Sequence, residues 1–475
     1  MEDQNKHIQA APTPQAPPSE PKPSSGSRWW RWPLWILLTL MALAVALPAS
    51  LYIPWVQNKV AQYACRKASE ATGMNIGLDR ILIEWPLDVS VDGLRVVQPT
   101  GDTLVAADNL TARLALLPLI DLQVEADSAW LTGARVHFIT EDSSLVLHAT
   151  GRRLDVGRAQ VNLNDNKVDI DNATLTGGNV SLSYFADKVV DTPDDEPSAP
   201  WLITARHLAL REVNYTMDLL PTIDKLDVKS GDIDVYDGMV DTGRQIVKVG
   251  SATADGLSAD YRYPTAADAA RYAAAHPVPQ SEPSADSPWT VTVDSVRISN
   301  AAATYALSGH EATDGFDPDH IALTDVAIAV NSITNRGIDT DLTIRHLAAT
   351  DRSGLRLTDA GGHVAVDSLG VNLDNVSVAT LLSDLTVDGR FDYAALDDAP
   401  TGQLRLDTRG NIALQEITKA APTLKPLLDG VPQVRPLAVS GNIAGDSRSI
   451  KLTNVKANMR NYISATVSGT IVNPL

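Results

Sequence analysis

The stretch Val124-Glu-Ala-Asp-Ser-Ala-Trp-Leu-Thr-Gly-Ala-Arg-Val-His-Phe138 returns 44 residues later as Val168-Asp-Ile-Asp-Asn-Ala-Thr-Leu-Thr-Gly-Gly-Asn-Val-Ser-Leu182. In the first copy, apolar side chains alternate with polar ones in three groups, which is the period of a β-strand with one buried face. The alternation slips by one residue at Asp127-Ser128 and again at Thr132-Gly133. Because such a slip would move every later side chain to the other face, the chain must bulge or turn at both places.

The same pattern occurs twice more, in 201–215 and 289–303, which align without a gap at a spacing of 88 residues. Four copies with the same slips predict an array of stacked β units. If each strand and its turn take a dozen residues, the chain after Ile76 forms roughly thirty strands.

The composition narrows the possible functions. The formal net charge of −19 over 475 residues argues against nucleic-acid binding, which needs a basic face. Aromatic residues are few, as in a sheet built from Val, Ile, Leu, Ala and Thr. The single cysteine, Cys65, excludes an internal disulfide.

The N-terminal part predicts a membrane anchor. Residues 1–27 are rich in Pro, Ser, Gln and Ala and should be a disordered arm. Within the predicted anchor, 28–53, the run Leu34–Ile53 has no charge and is long enough to cross a bilayer. The alternative is a cleaved signal peptide; we expect an uncleaved anchor with a cytoplasmic N-terminus. The predicted anchor residues are Trp32, Leu34, Leu40, Leu47, Ile53 and Trp55.

Residues 54–73 predict a short amphipathic helix that Gly73 ends. This helix either lies on the membrane surface or caps the first sheet. Its predicted apolar stripe is Val56, Val60, Tyr63, Ala64 and Lys67.

The remaining chain divides at two acidic, Pro-rich linkers, each ending in a Pro-Trp that opens a new repeat. A short helix is expected at 265–275, and another near 415–429 with kinks at Pro422 and Pro426. The predicted segments are a first β-groove segment at 74–190, a linker at 191–200, a second groove segment at 201–264, a helix and linker at 265–288, and a third groove segment at 289–475.

The sequence contains no catalytic or nucleotide-binding motif that we recognise, and we expect no enzyme activity, no cofactor and no metal. The run 232–238 resembles a calcium loop but has its glycine misplaced and lacks the acidic twelfth ligand. The polar cluster at 314–320 predicts a turn, with a metal site as the alternative.

Without such motifs, the candidate functional site is a surface of the predicted sheet. A long sheet with one apolar face either packs on a second sheet or curls so that this face lines a trough. Small inward side chains favour the trough, and an apolar trough in water should hold acyl chains. The predicted groove-lining residues are Val124, Leu131, Val136, Ile203, Leu210, Val291, Val293 and Ile298.

Short motifs over 28–475 resemble the AsmA-like family of proteins from bacteria with two membranes, in particular the N-terminal portion of its TamB-type members. They are Asp92-Gly-Leu-Arg-Val96, Gly101-Asp-Thr-Leu104, Ala107, Leu110, Leu114, Leu116, the Thr-Gly-Ala-x-Val repeat ends, Thr380-Leu-Leu-Ser-Asp-Leu385 and the helical 415–429.

This resemblance implies an all-β fold, a long, curved, mostly antiparallel repeat sheet with an open groove (a β-taco), preceded by one transmembrane helix and a short amphipathic helix. It also implies anchoring in the inner membrane, with the bulk in the periplasm, and transfer of phospholipid toward the outer membrane. An outer-membrane partner of the Omp85 class is implied for TamB-type proteins, but the domain that meets it is not visible in this sequence. The alternatives are an assembly factor for β-barrel proteins or autotransporters, and a surface β-solenoid adhesin.

Overall fold

The computed structural model describes residues 52–472 except 86, 100, 116–117, 119–122, 141, 189–199, 220–222, 278–288, 396–399, 429–430 and 432–434. The chain divides into two units, Met1–Val56 and Gln57–Leu475, and all the strands described below lie in the second. No helix within the described residues has the length and apolar character needed to cross a membrane. The predicted arm lies outside the described residues, as does the predicted anchor up to Leu51.

The described elements are mostly strands. The helices are α1 (Pro54–Thr72), α2 (Ala266–Ala275), α3 (Leu414–Ala420) and α4 (Lys425–Leu428), with short 3₁₀ turns at Ala186–Lys188, Tyr393–Ala395 and Pro422–Leu424. The strands are β1 (Asn75–Gly77), β2 (Arg80–Glu84), β3 (Asp88–Val97), β4 (Thr103–Leu114), β5 (Gln123–Ile139), β6 (Leu145–Val156), β7 (Ala159–Asn162), β8 (Lys167–Tyr184), β9 (Leu202–Leu219), β10 (Asp224–Lys229), β11 (Asp232–Asp241), β12 (Ile246–Asp255), β13 (Ser258–Tyr263), β14 (Thr290–Leu307), β15 (His320–Arg336), β16 (Asp339–Asp351), β17 (Arg356–Val366), β18 (Gly370–Thr380), β19 (Asp384–Asp392), β20 (Leu404–Ala413), β21 (Pro436–Asp446), β22 (Ser449–Met459) and β23 (Ile463–Val472).

These 23 strands form one mixed sheet, which confirms the prediction of a β protein built on a single large sheet. Neighbouring strands pair antiparallel except at β8–β9, β12–β14 and β13–β14. A parallel pair needs a connection that returns the chain to the end where the first strand began. The two Pro-rich linkers of the sequence occupy these connections, because they precede β9 and β14.

The four copies of the repeated phrase are the long strands β5, β8, β9 and β14, each of 17 or 18 residues. At the second slip, one residue in every copy has a positive φ and is left out of the strand pairing. The residues are Gly133 (62°), Gly177 (64°), Glu212 (54°) and Asn300 (52°). The first slip also interrupts pairing, since the β4–β5 register shifts between Arg113 and Leu114.

The unpaired residues of neighbouring strands lie at one level across the sheet, some within a strand and some in the break between two strands, and we call this line the bulge seam. By register it comprises Gly93, Asp108, Gly133, Arg152, Gly177, Glu212, Gly231, Gly256 and Asn300. Since these strands either change phase or end at the same level, they stay in register and apolar side chains return to the same face. At Gly133 the Asp108 carboxylate occupies the place of a Cβ, so any other residue there would require the Asp108 side chain to move.

Helix α1 ends before Gly73, as predicted, but its buried side differs from the predicted stripe. Gln57 and Ala61 are buried, whereas Tyr63 is 61% exposed. The Gln57 Nε2 donates to the carbonyl oxygen of Ile83 at 2.8 Å, and the Ile76 amide donates to Ser69 Oγ at 2.9 Å. The helix therefore satisfies backbone groups of β1 and β2, as a cap on an edge of a sheet does.

The helices after β20 are organised by a buried carboxylate. Glu416 accepts hydrogen bonds from the hydroxyls of Thr380 and Ser383 and from the amide of Leu382, so α3 is fixed to the β18–β19 turn. The predicted helical stretch breaks at Pro422, and the chain continues as α4. The kink predicted at Pro426 is wrong, because this residue lies in the first turn of α4, where proline is tolerated.

One histidine ties three strands of the sheet together and predicts a pH-dependent stability. His363 Nδ1 and Nε2 each lie 3.0 Å from a carboxylate, of Asp374 and Asp341 respectively. The Asp374 and Asp341 carboxylates raise the pKa of His363 above its usual 6.5. A raised folded-state pKa contributes stability that is complete below the unfolded pKa and is lost as pH rises through the folded pKa.

We therefore expect His363→Gln to lower the urea midpoint at acidic pH more than at alkaline pH. The measurement is the midpoint of each protein at matched pH values below and above this transition, with the difference between the two proteins as the readout. An equal difference at both pH values would contradict the assignment.

Candidate functional site, an apolar sheet face

A row of apolar side chains crosses twelve strands in direct register, one residue from each strand. We call it the central row. Its members are Ile81, Val91, Leu110, Leu131, Leu154, Leu175, Leu210, Ile233, Ala254, Ile298, Ile328 and Leu347. Every member is half-buried, and none is either fully enclosed or fully exposed.

A second row lies two residues away along eleven of these strands and three residues away on β16, where the β15–β16 register shifts, and it therefore lies on the same face. It too is apolar throughout twelve strands. Its members are Ile83, Val89, Ala112, Ala129, Val156, Ala173, Leu208, Val235, Ala252, Val296, Val330 and Ile344. Two adjacent rows without a polar member make a continuous apolar band across the sheet.

The opposite face carries a polar row one residue from the central row. Its members are Arg80, Asp92, Asn109, Thr132, Arg153, Thr176, Arg211, Asp232, Asp255 and Ser299. Neighbours in this row interact, as the 2.9 Å hydrogen bond from Asn109 to Asp92 and the 3.5 Å ion pair of Arg211 and Asp232 show. At these rows, the two faces of the sheet thus differ in polarity.

The apolar band is not packed like the inside of a β-sandwich. Side chains between two packed sheets are close-packed and nearly all buried. Among the described residues, twelve of the seventeen buried apolar side chains are alanine, and the Leu, Ile and Val of the band keep accessible surface. A small cluster of Ala301, Val326 and Ala349 is the local exception.

The structure places the eight predicted lining residues in rows of this kind. Leu131, Leu210 and Ile298 belong to the central row, and Val293 pairs with Val249 and Ile333. Val124, Ile203 and Val291 belong to a third row, and Val136 to a fourth beyond the bulge seam. The third row is Val124, Val161, Val168, Ile203, Val240, Val247 and Val291; the fourth is Ile76, Val96, Val105, Val136, Ala149, Val180, Tyr215, Val228, Ala259, Ala303 and Leu323.

The repeated phrase does not reveal the row members that lie outside it. Each of the strands β2, β3, β4, β6, β11, β12, β15 and β16 contributes one residue to the central row, as each of the four copies does. Their apolar residues alternate in the same way, as Val89, Val91 and Leu94 illustrate, and that alternation could have identified them.

The two runs that resemble metal sites in the sequence, 314–320 and 232–238, have structural roles. Asp317 in the loop before β15 is buried and accepts hydrogen bonds from the amides of Thr313 and Asp319 and from the Thr313 hydroxyl. These bonds, with that of the Thr313 amide first, hold the pKa of Asp317 well below its usual range. His310, Asp317 and Asp319 lie close enough to share an ion. The four hydrogen bonds of Asp317, including that with His310, fit the turn interpretation.

The run 232–238 lies within β11 rather than in a loop. Its two leading carboxylates, Asp232 and Asp234, both face Arg211, with Asp234 at 2.7 Å from the guanidinium. They hold neighbouring strands together instead of converging on a cation.

No protein-family model matches the chain, and no curated protein or solved structure matches it either.

Proposed function

We propose that this protein is a lipid-transfer conduit of the bacterial envelope, in which phospholipid acyl chains move along the apolar band. The observation that carries the proposal is the pair of twelve-strand rows whose large side chains remain half-exposed. Contact between such a band and water is unfavourable, and acyl chains are the ligand that matches it without requiring polar partners.

The dimensions of the band favour movement along it over static binding. Twelve strands at about 4.8 Å spacing extend on the order of 50 Å. One leaflet of a bilayer has a hydrocarbon depth of about 15 Å. A single lipid therefore covers only part of the band, and several can follow one another along a surface that offers no polar interruption.

The bulge seam provides a way for the sheet to enclose lipid acyl chains. A bulged strand bends at the bulge and twists more strongly. A line of bulges at one level in neighbouring strands therefore lets the sheet curl about that line, with its apolar face inward. In this proposal the curled sheet is the open groove expected of an AsmA-like protein, and its polar face meets water.

The cellular setting completes the proposal. The run Leu34–Ile53 anchors the chain in the inner membrane with its N-terminus in the cytoplasm, and the sheet lies in the periplasm. Phospholipid enters from the inner membrane and leaves toward the outer membrane. An Omp85-class outer-membrane protein is the partner that the family resemblance suggests at the far end.

The proposal predicts that phospholipid accompanies the purified sheet. Residues 57–475 form the second unit, and Gln57 is needed for the contact of α1 with β2. Exported to the periplasm and purified without detergent, this part should yield phospholipid in amounts comparable to the protein when its organic extract is measured by mass spectrometry.

A lipid-free preparation that remains folded would contradict the conduit. Recovery of unfolded outer-membrane barrel proteins in place of lipid would instead favour an assembly factor. A parallel extraction of an unrelated periplasmic β protein is the control for lipid carried through the purification.

A further inference from the structure

At one end of the apolar face, three tyrosines take the place of aliphatic side chains. A fifth row, which we call the rim row, lies near the ends of β5, β8, β9, β13 and β14. It begins with one phenylalanine and aliphatic residues and then reaches two tyrosines. Its members are Phe138, Leu147, Leu182, Met217, Leu226, Tyr261, Tyr305 and Ile321.

The tyrosine rings form a stacked cluster. Tyr305 lies against both Tyr261 and Tyr263, with centroid distances of 5.5 Å and 4.7 Å and interplanar angles of 18° and 28°. Tyr305 is 43% exposed, so part of its ring faces solvent at the end of the apolar row. This tyrosine cluster is the aromatic part of the candidate site.

Carboxylates lie around the cluster. The Tyr263 hydroxyl donates to Asp319 Oδ1 at 2.9 Å, and Tyr261 forms a side-chain hydrogen bond with Asp224. Partial desolvation and the bond to Asp319 raise the pKa of Tyr263 to about 12, so this phenol stays neutral and keeps donating. The nearest cation along β13, Arg262, belongs to the other face and pairs there with Asp260 at 2.9 Å.

We propose that the tyrosine cluster with Asp319 and Asp224 is a headgroup site that selects phospholipids with an ammonium group, phosphatidylethanolamine above all. A cation is attracted to the face of an electron-rich ring, most strongly where carboxylates add negative charge. The site lies where the apolar rows end, so acyl chains on the face place a headgroup beside it. A purely anionic headgroup meets the same carboxylates unfavourably. The inference rests on the proposed lipid conduit and adds a specificity to it.

The test places a photo-crosslinking amino acid at Leu226, which pairs directly with Tyr261. The full chain is reconstituted into vesicles of equimolar phosphatidylethanolamine and phosphatidylglycerol, and mass spectrometry identifies the captured lipids. We expect phosphatidylethanolamine to be captured in about threefold excess. Tyr305→Leu and Asp319→Asn should each reduce this ratio toward one without reducing total capture. Tyr305→Phe, which keeps the ring, and Asp260→Asn, on the other face, should retain it.

The outcomes separate the two proposals. Capture at the ratio of the vesicle lipids, or a preference that survives both Tyr305→Leu and Asp319→Asn, overturns the headgroup site and leaves the conduit standing. No lipid captured at Leu226, together with no lipid in the purified sheet, overturns the conduit and the headgroup site with it. Asp319→Asn is an exposed, isosteric change, so its result does not depend on whether Tyr305→Leu perturbs folding.

Discussion

Val291→Glu should remove lipid from the protein while leaving the sheet folded. Val291 is half-buried on the apolar face, with Val247 and Asn335 as its neighbours on the adjoining strands. A carboxylate in contact with hydrocarbon costs several kcal/mol, so we expect bound phospholipid to fall about tenfold or more. With an open face the carboxylate still reaches water, and the free energy of unfolding should change by about 1 kcal/mol or less.

The matched control is Thr292→Glu, the same substitution one residue later and on the polar face, where Thr292 pairs with Lys248 and Thr334. It should retain wild-type lipid. Lipid content is measured on the purified proteins by mass spectrometry and stability by urea denaturation. Unfolding of Val291→Glu with no effect of Thr292→Glu would mean that the face is packed against protein, as in a sandwich.

Deletion of Glu212 should unfold the region around β9. Glu212 is the positive-φ residue of its strand in the bulge seam. Without it, Val213, Tyr215 and the rest of β9 would turn to the polar face while β8 keeps its phase, or the parallel β8–β9 register would be lost. Either outcome exposes apolar and buries polar side chains, and we expect a loss of at least about 3 kcal/mol in urea denaturation.

Glu212→Gly is the control for this deletion. Glycine adopts a positive φ without strain, and the ion pair of Glu212 with Arg152 joins two exposed side chains and contributes little. The substituted protein should therefore unfold within about 1 kcal/mol of wild type. If the deletion were tolerated as well as the substitution, the seam would not set the phase of the strand.

Local alternation was enough to predict the strands, their two slips and the side of each copy that is apolar. The slips at Asp127-Ser128 and Thr132-Gly133 are visible because polar residues or glycine occupy them in every copy. The described residues contain 23 strands, fewer than the roughly thirty expected, since the dozen-residue unit assumed a turn where β5, β8, β9 and β14 continue through the second slip.

Contacts between residues that are far apart in the sequence could not be predicted from the alternation of apolar and polar residues. Gln57 is buried in α1 because its amide reaches the Ile83 carbonyl, 26 residues away in sequence. The parallel pairing of β13 with β14 brings Tyr261 beside Tyr305 across 44 residues. Both contacts follow from which strands become neighbours, and periodicity within a single strand carries no information on that choice.

The most direct test of the conduit is a photo-crosslinking scan along β9 in living cells. We expect phospholipid capture at Ile203, Leu210 and Tyr215 and none at their neighbours Thr204, Arg211 and Asn214. The residue numbers of the capturing positions are then odd, even and odd along β9, because each of the two slips changes which side of the strand faces the lipid. Capture that ignores this alternation, or no lipid at any of the three apolar positions, would contradict the proposal that acyl chains travel on this face.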